Sequence, residues 1–119
     1  MRDDRENEIV KVSFQFALNI ISFCEVLEEQ KKIVVARQLL KSGTSIGANV
    51  QEAQNAESRA DFIHKLKIAA KEADETEYWL TLCKEAKNYP SDSDLENDLQ
   101  SIIKLLGKIL GSLKRSQII

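Results

Sequence analysis

A single histidine, a single proline, four glycines and two cysteines occur among the 119 residues. With only His64 to supply imidazole, no Ser/His/Asp or Cys/His set has a plausible cleft. HExxH, CxxC and the Glu-x-x-His pair of di-iron bundles are also absent. No catalytic residue, cofactor or metal ligand is therefore expected, and His64 reads as a surface residue. Cys24 and Cys83 read as reduced core thiols. Aromatic residues make up 6% of the chain, which offers no stacking platform for bases. No apolar run approaches the roughly 18 residues of a membrane span. The start MRDDRENE lacks the apolar segment of a signal peptide, so a cytoplasmic protein without a membrane partner is expected. Gly43-Thr44-Ser45-Ile46-Gly47 looks superficially like a phosphate loop, but no lysine follows its second glycine and no strand precedes it.

What is present favours helices. Ala, Leu, Ile, Glu and Lys dominate, and turn formers are rare. The apolar spacing predicts four helices in one domain, at about 7–29, 31–56, 59–88 and 94–115. In the first, Val10, Phe14, Ala17, Ile21 and Cys24 recur every three or four residues. Ile9, Val12, Phe16, Ile20, Phe23 and Leu27 broaden the apolar face to suit more than one neighbour. Ser58 with Asp61 resembles a capping box at the third helix, and Ser93 with Glu96 at the fourth. Pro90 blocks continuation of the third. Short links between heptad-patterned helices imply an all-α, antiparallel up-down-up-down four-helix bundle.

The stretch Arg37–Glu52 carries two interleaved stripes. Leu39, Gly43, Ile46, Val50 and Ala53 form the apolar one; Gln38, Ser42, Ser45, Asn49 and Glu52 form the polar one, a position earlier. The phase is the same on both sides of Gly43, so one continuous helix is expected despite two glycines at about 1 kcal/mol each. Gly43 and Gly47 share a face and would let another backbone approach closely. In the third helix, Phe62, Leu66, Ala69, Ala73, Thr76, Leu80 and Cys83 form the main stripe, with Glu72 and Glu75 on a second. Arg37, Ser42, Ser45, Asn49, Glu52, Glu72 and Glu75 are expected to satisfy one another in a partly buried polar network, since buried charges persist only when paired.

The net charge of −2 is unevenly spread. Residues 31–50 hold four basic and no acidic groups, as do residues 101–119. Lys31, Lys32, Arg37 and Lys41, together with Lys104, Lys108, Lys114 and Arg115, are therefore the candidate contacts for RNA or DNA.

The pattern Arg37-x-x-x-x-Ser42-Gly43-x-Ser45-Ile46-Gly47-Ala48-Asn49-x-x-Glu52-Ala53 resembles the signature of the four-helix-bundle family of 23S rRNA intervening-sequence proteins, relatives of retroelement accessory variability proteins. Ser58, Asp61-Phe62, Lys65-Leu66, Ile68-Ala69, Lys71-Glu72-Ala73 and Glu75–Leu80 extend the resemblance over nearly the whole chain. It implies a ring-like homo-oligomer, commonly a pentamer, in which self is the first partner. The retroelement relatives are basic and work with nucleic acid, whereas this chain has a pI near 5.5.

Two functions follow as expectations. The first is a non-enzymatic homo-oligomeric scaffold or adaptor, because the wide apolar faces exceed what one small core buries. The alternative is an RNA- or DNA-binding accessory protein whose basic patches repeat around the oligomer. A further protein partner is compatible with either.

Overall fold

The computed structural model describes residues 4–118, with side chains placed through Arg115. Four helices account for nearly all of them: α1 (Asp4–Glu29), α2 (Ile33–Ala53), α3 (Arg59–Glu85) and α4 (Ser93–Ile118). No strand occurs among the described residues. α2 packs on α1 and α3, and α4 packs on α3 and α1. No Cα of α1 lies within 8 Å of α3, nor any of α2 within 8 Å of α4, so these pairs stand diagonally across the bundle. The core runs down its centre through Phe16, Ile20, Leu27, Leu39, Ile46, Val50, Leu66, Leu99, Ile102 and Leu106.

The helix ends explain where the boundaries depart from the apolar pattern. Lys31 takes a left-handed backbone (φ 63°). Its N–H donates to the Glu28 carbonyl (2.9 Å), and the Lys32 N–H donates to Leu27 (2.8 Å). This Schellman closure of α1 delays α2 to Ile33, two residues beyond expectation. α2 stops at Ala53 and not near 56, because Gln54, Asn55 and Ala56 bond three residues back and tighten into a turn. Ala86 is extended (ψ 139°) and Asn88 is left-handed (φ 63°), which ends α3 at Glu85, short of the expected 88. α1 and α4 each run about a turn longer than the apolar spacing marks, to Asp4 and Ile118.

The Ser58 cap forms as the sequence suggests: its Oγ accepts from the Asp61 N–H at 3.0 Å. The α4 cap is Asp92, one residue before Ser93. Asp92 Oδ1 accepts from the Leu95 N–H at 3.0 Å, and its carbonyl accepts from Glu96. An ionised cap adds favourable charge at the positive helix end, which Ser93 would not.

α2 crosses Gly43 without a break. A Cβ on Gly43 would lie 2.8 Å from Ile20 Cγ1, and one on Gly47 would lie 3.1 Å from the Ser13 carbonyl oxygen. The close backbone these glycines admit is therefore α1 of the same chain.

Candidate functional site

Apart from one surface ion pair between the helices, the polar residues of α2 and α3 satisfy themselves locally and do not join into one network. Ser45 donates to the Lys41 carbonyl (2.6 Å), and Asn49 Nδ2 donates to the Ser45 carbonyl (2.8 Å). Glu52 pairs with Lys65 at 3.5 Å on the surface, and Glu75 Oε2 accepts from Trp79 Nε1 at 3.2 Å. Arg37 is exposed and Glu72 half-buried, and neither side chain makes a hydrogen bond or ion pair among the described residues. Helix backbone carbonyls are the nearest acceptors for short side chains spaced four apart, so they absorb the hydrogen bonds expected between helices.

The buried exception is Ser42, which the fold packs against Thr76 of α3. The two hydroxyl oxygens are 3.0 Å apart, and both residues are shielded from solvent. Thr76 Oγ1 also lies 2.8 Å from the Glu72 carbonyl, and Ser42 Oγ lies 3.4 Å from that of Leu39. Each hydroxyl has one proton, and the shorter carbonyl contact favours Ser42 donating to Thr76 and Thr76 donating to Glu72. Thr76 reads as an apolar stripe position in the sequence, and only its hydroxyl distinguishes it there.

Cys24 and Cys83 are buried, at the same end of the bundle but on the diagonal helices α1 and α3. With Cα atoms of those helices more than 8 Å apart, a disulfide would require helix movement. Burial pushes the Cys24 thiol up to about 12, with Glu28 and Cys83 adding to the effect. Burial, then Glu96, raises Cys83. Neither is the thiolate a nucleophile requires. His64 is exposed on α3, and no group of three or more His, Cys, Asp or Glu is placed to hold a metal among the described residues.

The basic candidates fall on two opposite sides. Arg37 and Lys41 are exposed on α2, one turn apart, with Lys31 and Lys32 at the preceding turn. Lys32 is half-buried, its Nζ 4.8 Å from the Tyr89 ring centroid. Lys104, Lys108, Lys114 and Arg115 are exposed on α4, diagonal to α2. Within one protomer the two groups do not merge into a single surface.

The surface feature that stands out is apolar. Phe14 is 65% exposed and Val34 75%, and Leu18, Ile21, Ile33, Leu40, Tyr78 and Leu82 are also exposed. On α1, Phe14, Leu18 and Ile21 form one outward stripe at helical spacing. Beside it, Val10, Phe14, Ala17, Thr44, Gly47, Ala48 and Gln51 line a groove of about 370 Å³ between α1 and α2. On the other flank of α2, exposed Tyr78 and Leu82 of α3 adjoin half-buried Trp79. By length and composition alone α1 could cross a membrane, and 33% of its most apolar stretch is buried in the bundle. The sequence expectation of no such segment is corrected: Lys11 and Glu25 interrupt the run but leave its average high. The inward side of α1, with Ile9, Phe16, Ile20, Phe23 and Leu27, lies in the bundle core.

The described residues form a four-helix bundle with two separate basic groups and a broad exposed apolar flank. The 23S rRNA-intervening sequence protein family matches residues 5–110, and the chain belongs to that family. Its fold is similar to the crystal structure of a protein of unknown function from the S23 ribosomal protein family of Bacteroides thetaiotaomicron VPI-5482. The two share 44% identity with a TM-score of 0.83, over 90% of this chain and 98% of that one. No curated protein matches.

Proposed function

We propose that the protein is a non-enzymatic, homo-oligomeric scaffold whose subunits meet through the α1–α2 flank. The observation that carries this reading is the exposed stripe Phe14, Leu18 and Ile21 beside the α1–α2 groove. Side chains of this size left in water in one contiguous strip favour an interface, since burying each stabilises by about 1.5–3 kcal/mol. The apolar flank of α3, with Tyr78 and Leu82, is a different surface from that of α1. Contacts between two unlike faces are head-to-tail, and they close into rings when the rotation permits. The pentamer implied by the family resemblance is a ring of this kind.

Analytical ultracentrifugation tests the reading. The 13.5 kDa chain should sediment as a closed oligomer at micromolar concentration, and Phe14→Glu should reduce it toward the monomer.

A second reading rests on the exposed cations of α4 (Lys104, Lys108, Lys114, Arg115) in a segment without acids. Repeated around an oligomer, they would present a basic rim to RNA or DNA. Fluorescence anisotropy with a labelled structured RNA tests it. Binding should fall steeply with salt and weaken in Lys104→Glu/Lys108→Glu; no binding at low salt would remove this reading.

A further inference from the structure

The seam between α1 and α4 is open on the side of α1 away from α2. Toward one end, Val12, Phe16, Ile102 and Leu105 floor a cavity of about 190 Å³. Toward the other, Phe23, Val26 and Leu95 floor one of about 350 Å³. Asn19 and Asp98 line both, so the two adjoin along one seam. From Glu8 to Val26 it follows α1 for about 27 Å at 1.5 Å per residue.

Its charged rim residues are all acidic, most of them on the α4 wall; on the α1 wall Glu8 is followed by the uncharged Gln15, Asn19 and Ser22. Glu8 stands on α1 and Asp92, Asp94 and Asp98 on or just before α4, and no lysine or arginine lines either part. Asp92 is engaged in capping Leu95. Glu8, Asp94 and Asp98 make no ion pair or side-chain hydrogen bond among the described residues. The exposed α1–α2 flank is apolar without such a rim. Here Asp92, Asp94 and Asp98 line the end near the start of α4, and Glu8 stands at the other end of the apolar floor.

We propose that this groove docks a basic amphipathic helix of a partner protein. An apolar face spaced i, i+3/i+4, i+7 fits the floor, and Lys or Arg on its flanks reaches Asp94 and Asp98 toward one end and Glu8 at the other. The same rim repels the phosphates of nucleic acid. Opposite charge across the contact sets the choice of partner and speeds encounter more than it sets affinity.

The test uses the full chain and a labelled 18-residue helical peptide of leucine and lysine, with a leucine–glutamate peptide of the same pattern as the counter-probe. Anisotropy should report salt-sensitive binding of the lysine peptide and none of the glutamate peptide. Glu8→Lys/Asp98→Lys should weaken it by about tenfold or more. The control Asp74→Lys/Glu85→Lys changes net charge equally on the exposed face of α3 and should leave the affinity within about twofold. Thermal melts confirm that both variants fold. No binding, equal loss in the control, or equal binding of the glutamate peptide would overturn the proposal. So would a fall in oligomer mass in Glu8→Lys/Asp98→Lys, because the groove would then be a contact between copies of this chain.

Discussion

Ser42 and Thr76 hold their hydroxyl oxygens 3.0 Å apart in the bundle interior, and this pair is the side-chain hydrogen bond that fixes α2 against α3 away from solvent. Their relay ends on the Glu72 carbonyl, so no polar group of the pair is stranded. Thr76→Val keeps the shape, removes the bridging hydroxyl and should cost about 1 kcal/mol. Ser42→Ala should cost a similar amount. The double variant should cost less than the sum, with a coupling of about 0.5–1.5 kcal/mol in urea unfolding. Strict additivity would mean that the hydroxyls act independently.

The α1–α2 contact predicts opposite signs for the same change at different glycines. Gly47→Ala forces a methyl to 3.1 Å from a Ser13 backbone oxygen, which cannot rotate away. Gly43→Ala meets the fully buried Ile20 at 2.8 Å. Each should destabilise by about 1–3 kcal/mol as overpacking outweighs helix propensity. A Cβ added at Gly107 would meet nothing within 4 Å, so Gly107→Ala should stabilise by up to about 1 kcal/mol. Chemical denaturation midpoints read all three.

Lys31 occupies the left-handed position that glycine fills without strain. Lys31→Gly should retain the bonds to Glu28 and Leu27 and raise stability by about 1 kcal/mol, a few degrees in Tm. Lys31→Val, with a branched Cβ at φ 63°, should lower it.

Burial raises the Cys24 thiol from 9.0 to about 12. Folding then favours the protonated thiol. Its contribution is complete below pH 9 and is lost between pH 9 and about 12, as the unfolded chain releases a proton the native chain retains. Stability of the natural chain minus that of Cys24→Ala should therefore fall with pH across that window and stay flat below it. Slow labelling by a thiol reagent at pH 8, made fast by denaturant, is the companion observation.

The helices were legible because their apolar spacing is dense and regular, as at Leu95, Leu99, Ile102, Leu106 and Ile109. The phase across Gly43 identified a continuous α2, and the shared face of Gly43 and Gly47 pointed to a close helix approach. The ends were less legible. A lysine at a left-handed C-terminus carries no glycine signal, and Asp92 and Ser93 are both good caps, so chain geometry decides between them. The polar stripe was visible, but its partners were not. Periodicity places Ser45 and Asn49 on one face without showing that each bonds to the backbone one turn before it. Thr76 was concealed by its place in an apolar stripe. The acidic groove was invisible because it joins residues from opposite ends of the chain, Glu8 and Asp98.

The proposed contact between copies of this chain runs through the α1–α2 flank. Sedimentation equilibrium of the natural protein beside Phe14→Glu and Leu18→Glu tests it most directly. Both residues are exposed in the protomer, at 65% and 44%, so their replacement should shift its stability by no more than about 0.5 kcal/mol. The natural chain should give a single species at two or more times 13.5 kDa, and each variant a folded monomer. A natural chain that is monomeric at tens of micromolar, or variants that keep the natural mass, would contradict it.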